Sequence, residues 1–255
     1  MKKEEFLSLL KNNLDDFSLL KLYNKMQLAL SKEITVFTDE FYTPDIWGTL
    51  EERLKGTINI ESYGIFSDSD RRIIAFNKEE YEDFPIKLVE IKCNTKFSNL
   101  AHKDYLGALM SLGINRNKIG EVILDSDKAY VAVSLDMIDF IISSLDKVKN
   151  LPCVCTVIED YDNLPKVNYE EKTVISTSNR LDSIVSAISN ISRSKACEYI
   201  QNQKVLVNYV TIKEKNFIVK ENVKVTIKGI GKFKICEISG TTKSGRLKIN
   251  IYKYT

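Results

Sequence analysis

Four residues between positions 180 and 195 are of types whose side chains can bind phosphate groups, namely Arg180, Arg193, Ser194 and Lys195. Guanidinium and ammonium groups donate charge-assisted hydrogen bonds to phosphate oxygens, and a serine hydroxyl adds a neutral donor. The segment NRLDSIVSAISNISRSK (179–195) predicts two short helices joined by a polar turn, with these side chains near the helix starts. Because the helix dipole disfavours cations at that end, the pattern indicates a phosphate that approaches the backbone N–H groups there.

The predicted first helix has one apolar stripe, because its aliphatic residues recur at the spacing i, i+3, i+4 and i+7. These residues are Leu181, Ile184, Val185 and Ile188. Ser192 is placed to cap the second helix. The strands predicted after the helices alternate aliphatic residues with lysines, and Lys232 and Lys234 share one face of GIGKFKI (229–235). The cations therefore lie on polar surfaces outside a shared core.

Charge is distributed unevenly along the 255 residues. Residues 180–255 contain 15 Lys+Arg and 5 Asp+Glu, a net charge of +10, whereas residues 1–179 contain 22 and 30, a net charge of −8. A surface that needs only solubility normally mixes the two signs. The total of +2 therefore conceals an acidic body joined to a basic module, which predicts a polyanionic partner.

The patterns along the chain predict an α+β protein with three regions. Residues 1–80 are predicted to be mainly helical. Residues 81–165 follow the order β-α-β-β-α-β, the ferredoxin-like pattern that RNA-recognition domains share. The strands of this middle domain offer mainly Ile, Val and Leu, with only Tyr130 as an aromatic, so base stacking is not assigned to it. Residues 166–179 are predicted as a linker, and residues 180–255 as the basic two-helix domain with a small sheet.

Other chemistry has little support in the sequence. His102 is the single histidine, and without convergent partners it predicts neither a triad nor a metal site. It is interpreted instead as a structural residue or an RNA contact at a helix start, and together with Lys103 it is a candidate partner contact. Cys153 and Cys155 face the same way on a strand, but no second pair or nearby histidine completes a zinc site. No catalytic residue, metal ligand or cofactor is predicted.

The sequence also bears on the compartment. Five cysteines without framework spacing favour a reducing environment. The first residues, MKKEEFLSLLKNN, place acids where an export signal would need an apolar run, and apolar runs are shorter than the roughly 20 residues that cross a bilayer. We therefore expect a cytoplasmic, monomeric protein with no membrane partner.

Four short motifs, in this order, resemble the S-four RNA-binding domain, which is named for a small-subunit ribosomal protein. They are Arg180-Leu181-Asp182, Ser192-Arg193-Ser194-Lys195-Ala196, VLVN (205–208) and GIGKF (229–233). The whole chain also resembles the YlmH-like family of bacterial RNA-binding proteins, with HKDYLGALMSLGINRNKIGEVI (102–123) as the matching central stretch. Where the S-four domain usually has a glycine before the VLVN strand, this chain has Asn202-Gln203. Because Asn tolerates a left-handed conformation, we expect the turn to survive with some strain.

The resemblance implies that Arg180, Arg193, Ser194 and Lys195 are the main phosphate contacts. Further, weaker candidates are Lys204, Lys232 and Lys234. It also implies a non-enzymatic, ribosome-associated protein that binds structured rRNA and tRNA. Some compact relatives of the module act on stalled large ribosomal subunits that still hold peptidyl-tRNA, and a similar role in translation quality control is the specific hypothesis.

Two alternatives remain at this point: an RNA-modifying enzyme with an appended RNA-binding domain, and a protein-interaction scaffold. Pseudouridine synthases use a similar Arg-Leu-Asp with a catalytic aspartate, which makes Asp182 the residue to examine. Only 73 residues follow Asp182, fewer than such a catalytic domain needs. An acid also suits a helix start and can pair with Arg180, so a structural role is favoured.

Overall fold

The computed structural model forms two compact units, Met1–Val167 and Asn168–Thr255. It describes residues 2–11, 13–94, 100–162 and 164–254. Each unit has its own apolar core, so each is described by itself. None of the helices in the described ranges is long and apolar enough to cross a membrane.

The first part of unit one packs three helices on a three-stranded antiparallel sheet. The helices are α1 (Lys3–Leu10), α2 (Asp16–Lys32) and α3 (Pro44–Arg53), and the strands are β1 (Val36–Phe37), β2 (Ile60–Tyr63) and β3 (Ile73–Phe76), in the order β1-β3-β2. Asp15 caps α2 by accepting the Ser18 N–H at 2.9 Å. Pro44 occupies the first turn of α3, where its missing N–H is not needed.

The second part of unit one is a five-stranded antiparallel sheet with two helices. Its elements are β4 (Ile86–Cys93), α4 (His102–Ser111), β5 (Ile119–Asp125), β6 (Lys128–Ser134), α5 (Ile138–Ser144), β7 (Lys147–Val148) and β8 (Leu151–Ile158). The strand order β5-β6-β4-β8-β7 confirms the predicted ferredoxin-like arrangement and adds the short β7 at one edge. After α4 the chain turns at Gly113, whose φ of +83° suits glycine.

Each face of this five-stranded sheet carries an apolar core within unit one. On one face, Tyr105, Leu109 and Ile141 of the two helices pack with the strand residues Val89 and Val131. On the other face, residues from the first part of the unit complete a second core with Leu88, Ile123 and Ala132; these residues are Phe41, Ile65, Phe66 and Ile73. RNA-recognition domains stack bases on this second face. Here the part of this face around Leu88, Ile123 and Ala132 is buried, while Val154 on β8 is 65% exposed. The buried part is closed to bases, which agrees with not assigning base stacking to the middle domain.

Unit two is a six-stranded antiparallel sheet with two helices on one face. Its elements are β9 (Tyr169–Ser176), α6 (Leu181–Ser189), α7 (Arg193–Gln201), β10 (Val205–Val207), β11 (Val210–Thr211), β12 (Val223–Ile227), β13 (Gly231–Thr241) and β14 (Leu247–Tyr254). The strand order is β11-β10-β12-β13-β14-β9. The predicted stripe of α6 lies in the core with Val225, Phe233, Ile249 and Ile251.

The stretch 166–179, predicted as a linker, contains strand β9. This strand pairs with β14 over its whole length, from Tyr169 opposite Tyr254 to Ser176 opposite Leu247. As the edge strand of the sheet it keeps most of its side chains exposed, and only Ser176 is fully buried. Its sequence is therefore polar, which is why the pattern did not indicate a strand. The division of the chain at residues 80, 165 and 179 stays a prediction.

The turn before the VLVN strand takes a left-handed residue, and that residue is Gln203, with φ of 56°. Asn202, on which the expectation depended, ends α7 with φ of −79°. Glutamine has no local side-chain hydrogen bond that favours this conformation as asparagine has. The turn therefore survives, but the strained position is one residue later than the side-chain argument indicated.

Candidate nucleic-acid interface

A buried carboxylate joins the starts of the two helices of unit two. Asp182, in the first turn of α6, is only 2% exposed. Arg180 donates to both of its oxygens, from Nε to Oδ1 at 3.2 Å and from Nη2 to Oδ2 at 3.1 Å. Arg193, the first residue of α7, donates to Oδ2 from Nε at 3.1 Å and from Nη2 at 2.9 Å. One carboxylate thus orients two guanidinium groups that are far apart in sequence.

The charges around Asp182 favour its ionised form. Burial opposes ionisation, but the hydrogen bonds and positive charges of Arg180 and Arg193 outweigh it and hold the pKa of this carboxyl below its ordinary value of 3.8. Two guanidinium groups against one carboxylate leave a positive surplus. Their side chains are 36% and 54% exposed, and each uses two of its five N–H donors on Asp182. The cluster can therefore still donate to an incoming anion.

The backbone N–H groups at the two helix starts differ. At the start of α6, the Leu181 N–H donates to the Phe217 carbonyl at 2.8 Å, and the Asp182 N–H donates to the Lys215 carbonyl at 3.1 Å. These groups are already used, so the prediction that a phosphate meets exposed N–H groups there is wrong for α6. At the start of α7, no acceptor in the described part of the chain contacts the N–H of Arg193 or Ser194. Of these two helix starts, that of α7 is the one whose backbone N–H groups are available to an anion within the described residues.

The start of α7 is capped as predicted. The Ser192 hydroxyl accepts the Lys195 N–H at 3.3 Å and lies 3.1 Å from the Ser194 hydroxyl. Ser194 and Lys195 are exposed. The fold therefore gathers all four of the main predicted phosphate contacts, since Arg180 and Arg193 meet at Asp182 and the other two residues continue the first turn of α7. We call this group the arginine clamp: Arg180, Arg193, Ser194 and Lys195, with Asp182 as its anchor.

Three further predicted residues lie outside the arginine clamp. Lys204 follows the far end of α7, with its ammonium 5.4 Å from the centre of the Tyr199 ring. As α7 has 9 residues, that end is about 13 Å from the clamp at a rise of 1.5 Å per residue. Lys232 and Lys234 lie on the sheet face opposite the helices, because their neighbours Phe233 and Ile235 point into the core. The set predicted as one site therefore occupies three places.

The structure adds one cation that the sequence did not indicate. Lys215 is exposed, and its carbonyl accepts the Asp182 N–H. The loop that carries it thus closes over the start of α6, 33 positions away in the chain. Lys215 lies outside the four motifs, so the sequence carries no signal for it. Its position near the clamp follows from the hydrogen bond between the Asp182 N–H and the Lys215 carbonyl.

His102 and Lys103 belong to unit one, at the start of α4. The carboxylate of Asp104 accepts the Ala101 N–H at 2.8 Å and pairs with Lys149 at 2.8 Å, which fixes this helix start. Lys103 is exposed and His102 is partly exposed. Their assignment as a partner contact stays a prediction.

The surroundings of Asp182 and of the cysteines bear on the alternatives of catalysis and metal binding. Asp182 is buried and both of its oxygens accept hydrogen bonds, so it is placed to support the fold, and the predicted pairing with Arg180 is present. Burial raises the pKa of the Cys153 thiol to about 12 and that of Cys155 to about 11, which keeps both protonated at neutral pH. Within the described residues, no group of His, Cys, Asp and Glu side chains could hold a metal ion.

Comparison with known proteins agrees with this organisation. Residues 79–162 match the family model of a putative RNA-binding domain in YlmH, and residues 179–225 match the model of the S4 domain, the S-four domain named above. Fold and matches together define a protein that joins two domains of RNA-binding type. The chain thus carries an RNA-binding domain of the YlmH type and, at its C-terminal end, an S-four domain.

Two individual proteins are similar to the chain. Ribosome-associated protein quality control protein P2 of Bacillus subtilis (strain 168) is 29% identical over 171 residues, which cover 67% of this chain. The match spans 66% of that relative's own length, just under two thirds. The solved structure of cell division protein ylmH from Streptococcus pneumoniae is 22% identical, with a TM-score of 0.46, and the match covers 60% of this chain and 98% of that one.

Proposed function

We propose that the protein binds structured RNA through phosphate contacts at the arginine clamp, without catalysing a reaction. The observation that carries the proposal is the pair of guanidinium groups held on Asp182, inside a C-terminal stretch with a net charge of +10. Paired, oriented guanidinium groups match phosphate oxygens in bidentate geometry. Such contacts carry no direct sequence information, so the clamp selects the backbone shape of a folded RNA.

The name of the Bacillus relative supports a ribosomal setting for this activity. We propose that the RNA is rRNA and tRNA on large ribosomal subunits that hold peptidyl-tRNA, in cytoplasmic translation quality control, and that a monomer suffices. The acidic residues 1–179, with a net charge of −8, would then face ribosomal protein or another factor and not RNA phosphates. In this proposal the protein acts by binding alone. A contact that matches the RNA in shape and charge stabilises one state of the ribosomal subunit.

A pair of charge reversals at opposite ends of α7 tests the site. Lys195 and Lys228 are both exposed, but Lys195 lies in the clamp, whereas the Lys228 N–H bonds to the carbonyl of Lys204 beyond the far end of the helix. Lys195→Glu should weaken binding of a stable RNA hairpin about tenfold, because it replaces a phosphate contact with a repulsion. Lys228→Glu should change it by less than about twofold. Fluorescence anisotropy measures the RNA affinity of both variants. Equal losses of affinity would show that the clamp is not part of the binding site.

Arg193 is unsuitable for such a reversal. From the sequence, Arg193→Glu together with Lys195→Glu is expected to weaken RNA binding and leave the fold intact, since neither residue is on the apolar stripe. The structure corrects this expectation, because Arg193 donates two hydrogen bonds to buried Asp182, and a glutamate there would face that carboxylate. Loss of binding in that variant would mix a structural and a binding effect, so Lys195 and Lys215 are the informative positions.

The ribosomal setting has its own test. Tagged protein from gently lysed cells is sedimented through a sucrose gradient, and crosslinked RNA is sequenced. We expect the protein to co-migrate with free large subunits and to crosslink to rRNA and tRNA. Protein that stays at the top of the gradient without enriched RNA would contradict the ribosomal proposal. The RNA-binding proposal is tested independently by the affinity for the hairpin in vitro.

A further inference from the structure

The outer face of the sheet in unit two concentrates lysines and tyrosines at one end. Alternate residues on β12, β13 and β14 point away from the helices, because their neighbours Val225, Phe233, Ile235 and Ile251 are buried in the core. We call these outward residues, together with Tyr209 of the β10–β11 turn, the lysine–tyrosine face: Lys224, Lys232, Lys234, Tyr209, Tyr252 and Tyr254. Most of this face lies beyond residue 225, where the match to the S-four domain ends.

The strand register places like charges side by side on this face. Lys224 is directly opposite Lys234, and Lys234 is directly opposite Tyr252. Two cations at directly opposed positions destabilise an antiparallel pair. The register thus gathers ammonium groups at one end of this face, and a polyanion that contacts them would offset their mutual repulsion.

The tyrosine rings are interleaved with these cations. The Lys232 ammonium lies 5.3 Å from the centre of the Tyr254 ring and 5.6 Å from that of Tyr209, and the Lys224 ammonium lies 5.7 Å from the centre of the Tyr254 ring. Tyr252 is stacked on Tyr169 of β9, with ring centres 4.2 Å apart and planes inclined by 20°. Aromatic faces beside mobile cations form the combination that binds single-stranded nucleic acid.

Tyr209 occupies a turn position that does not suit its side chain. The two-residue turn between Val207 and Val210 has Asn208 at φ of 46° and Tyr209 at φ of 71°. Both positions favour Asn or Gly, and a bulky residue with positive φ is an outlier. The Asn208 side chain accepts the Lys224 N–H at 2.8 Å, which ties the turn to β12. The strained turn places the Tyr209 ring beside the Lys232 ammonium.

We infer that the lysine–tyrosine face binds unpaired nucleotides of RNA, with bases stacked on the tyrosine rings and phosphates on Lys224, Lys232 and Lys234. The inference builds on the proposed function and adds a second, chemically different contact to the duplex-gripping clamp. A cation–π contact at an exposed ring is weak, so a base can replace the ammonium on the ring while the ammonium moves to the adjacent phosphate. The face ends at β9, where the acidic residue Glu171 lies directly opposite Tyr252.

The test compares three RNAs that share one stable hairpin. The first is blunt, the second carries five unpaired nucleotides, and the third carries five abasic ribose phosphates, with each extension made at the 5′ and at the 3′ end. The full-length protein is titrated with each RNA, and the dissociation constants are compared. The second and third RNAs differ only in their bases. The ratio of their dissociation constants therefore measures base stacking separately from phosphate contacts.

We expect the base-bearing extension at one end to bind about tenfold more tightly than the abasic one. Tyr254→Ala should reduce that ratio to about one, whereas Tyr254→Phe, which keeps the ring, should preserve it. Retained binding of the blunt hairpin by the alanine variant shows that the clamp and the fold are intact. Lys234→Gln should weaken the base-bearing and the abasic RNA by a similar factor, because it removes a phosphate contact and no ring.

The outcomes separate the two proposals. Equal affinity of the base-bearing and abasic RNAs, or a Tyr254→Ala variant that keeps the ratio, would overturn the stacking inference while leaving the clamp untouched. If the wild-type protein does not bind the blunt hairpin, the clamp proposal fails. A preference for bases over abasic phosphates would in that case still support the lysine–tyrosine face.

Discussion

At the residue scale, the proposed interface depends on the buried carboxylate of Asp182. Asp182 accepts four hydrogen bonds from two arginines and one from the Ser183 N–H at 2.9 Å. Without it, two guanidinium groups at adjacent helix starts would repel each other and rotate independently. Asp182 therefore acts as a positioning residue that converts two flexible cations into one oriented donor set.

Replacing the anchor should affect both stability and binding. Asp182→Asn keeps the shape but removes the charge, so we expect the free energy of unfolding to fall by about 2–3 kcal/mol. RNA affinity should also fall, because the guanidinium groups lose their common acceptor. Urea denaturation and hairpin anisotropy measure the two effects. Ser194→Ala serves as the control for stability alone, since Ser192 is the one side chain that its hydroxyl contacts within the described residues. An anchor variant as stable as this control would contradict the structural role.

The same carboxylate predicts how stability depends on pH. The pKa of Asp182 in the folded protein lies below its ordinary value of 3.8, because the arginine contacts outweigh the effect of burial. Its contribution to stability is therefore complete above pH 3.8 and is lost as the pH falls through the lower folded-state pKa. The stability difference between wild type and Asp182→Asn should narrow below pH 3.8. A difference that stays constant down to pH 2.5 would show that the carboxylate is not stabilised in this way.

At the element scale, the two helices were predictable and their surroundings were not. The stripe of α6 and the Ser192 cap of α7 depend on contacts within a few residues, and both are found as predicted. The loop carbonyls that cover the α6 start come from residues 215 and 217, and strand β9 forms through pairing with β14. Such contacts are long-range, so local periodicity carries no trace of them.

The turn between α7 and β10 offers a test of backbone strain. Gln203→Gly removes the cost of a left-handed conformation in a residue with a side chain, and we expect a gain of about 0.5–1 kcal/mol in stability. Asn202→Gly is the matched control. Its φ of −79° needs no glycine, so the added chain entropy should lower stability by a similar amount. Opposite signs in thermal unfolding support the assignment, and a gain at Asn202 alone would contradict it.

At the scale of the whole molecule, charge and architecture agree. The net charge of +10 lies in the stretch that forms the clamp and the lysine–tyrosine face, while residues 1–179 carry the net −8. Sequence alone located the basic module and the ferredoxin-like order, because both are patterns of composition and periodicity. It could not show that the predicted cations divide among three places, since that depends on how helix starts and sheet faces are arranged in space.

The dependence of RNA affinity on salt tests the central claim most directly. If the clamp and its neighbours neutralise about four to six phosphates, a plot of log affinity against log salt concentration should have a slope of roughly −3 to −5. Lys195→Glu should reduce the magnitude of that slope by about one, and Lys228→Glu should leave it unchanged. A flat response, or a slope that Lys195→Glu does not alter, would contradict RNA binding led by phosphate contacts at the arginine clamp.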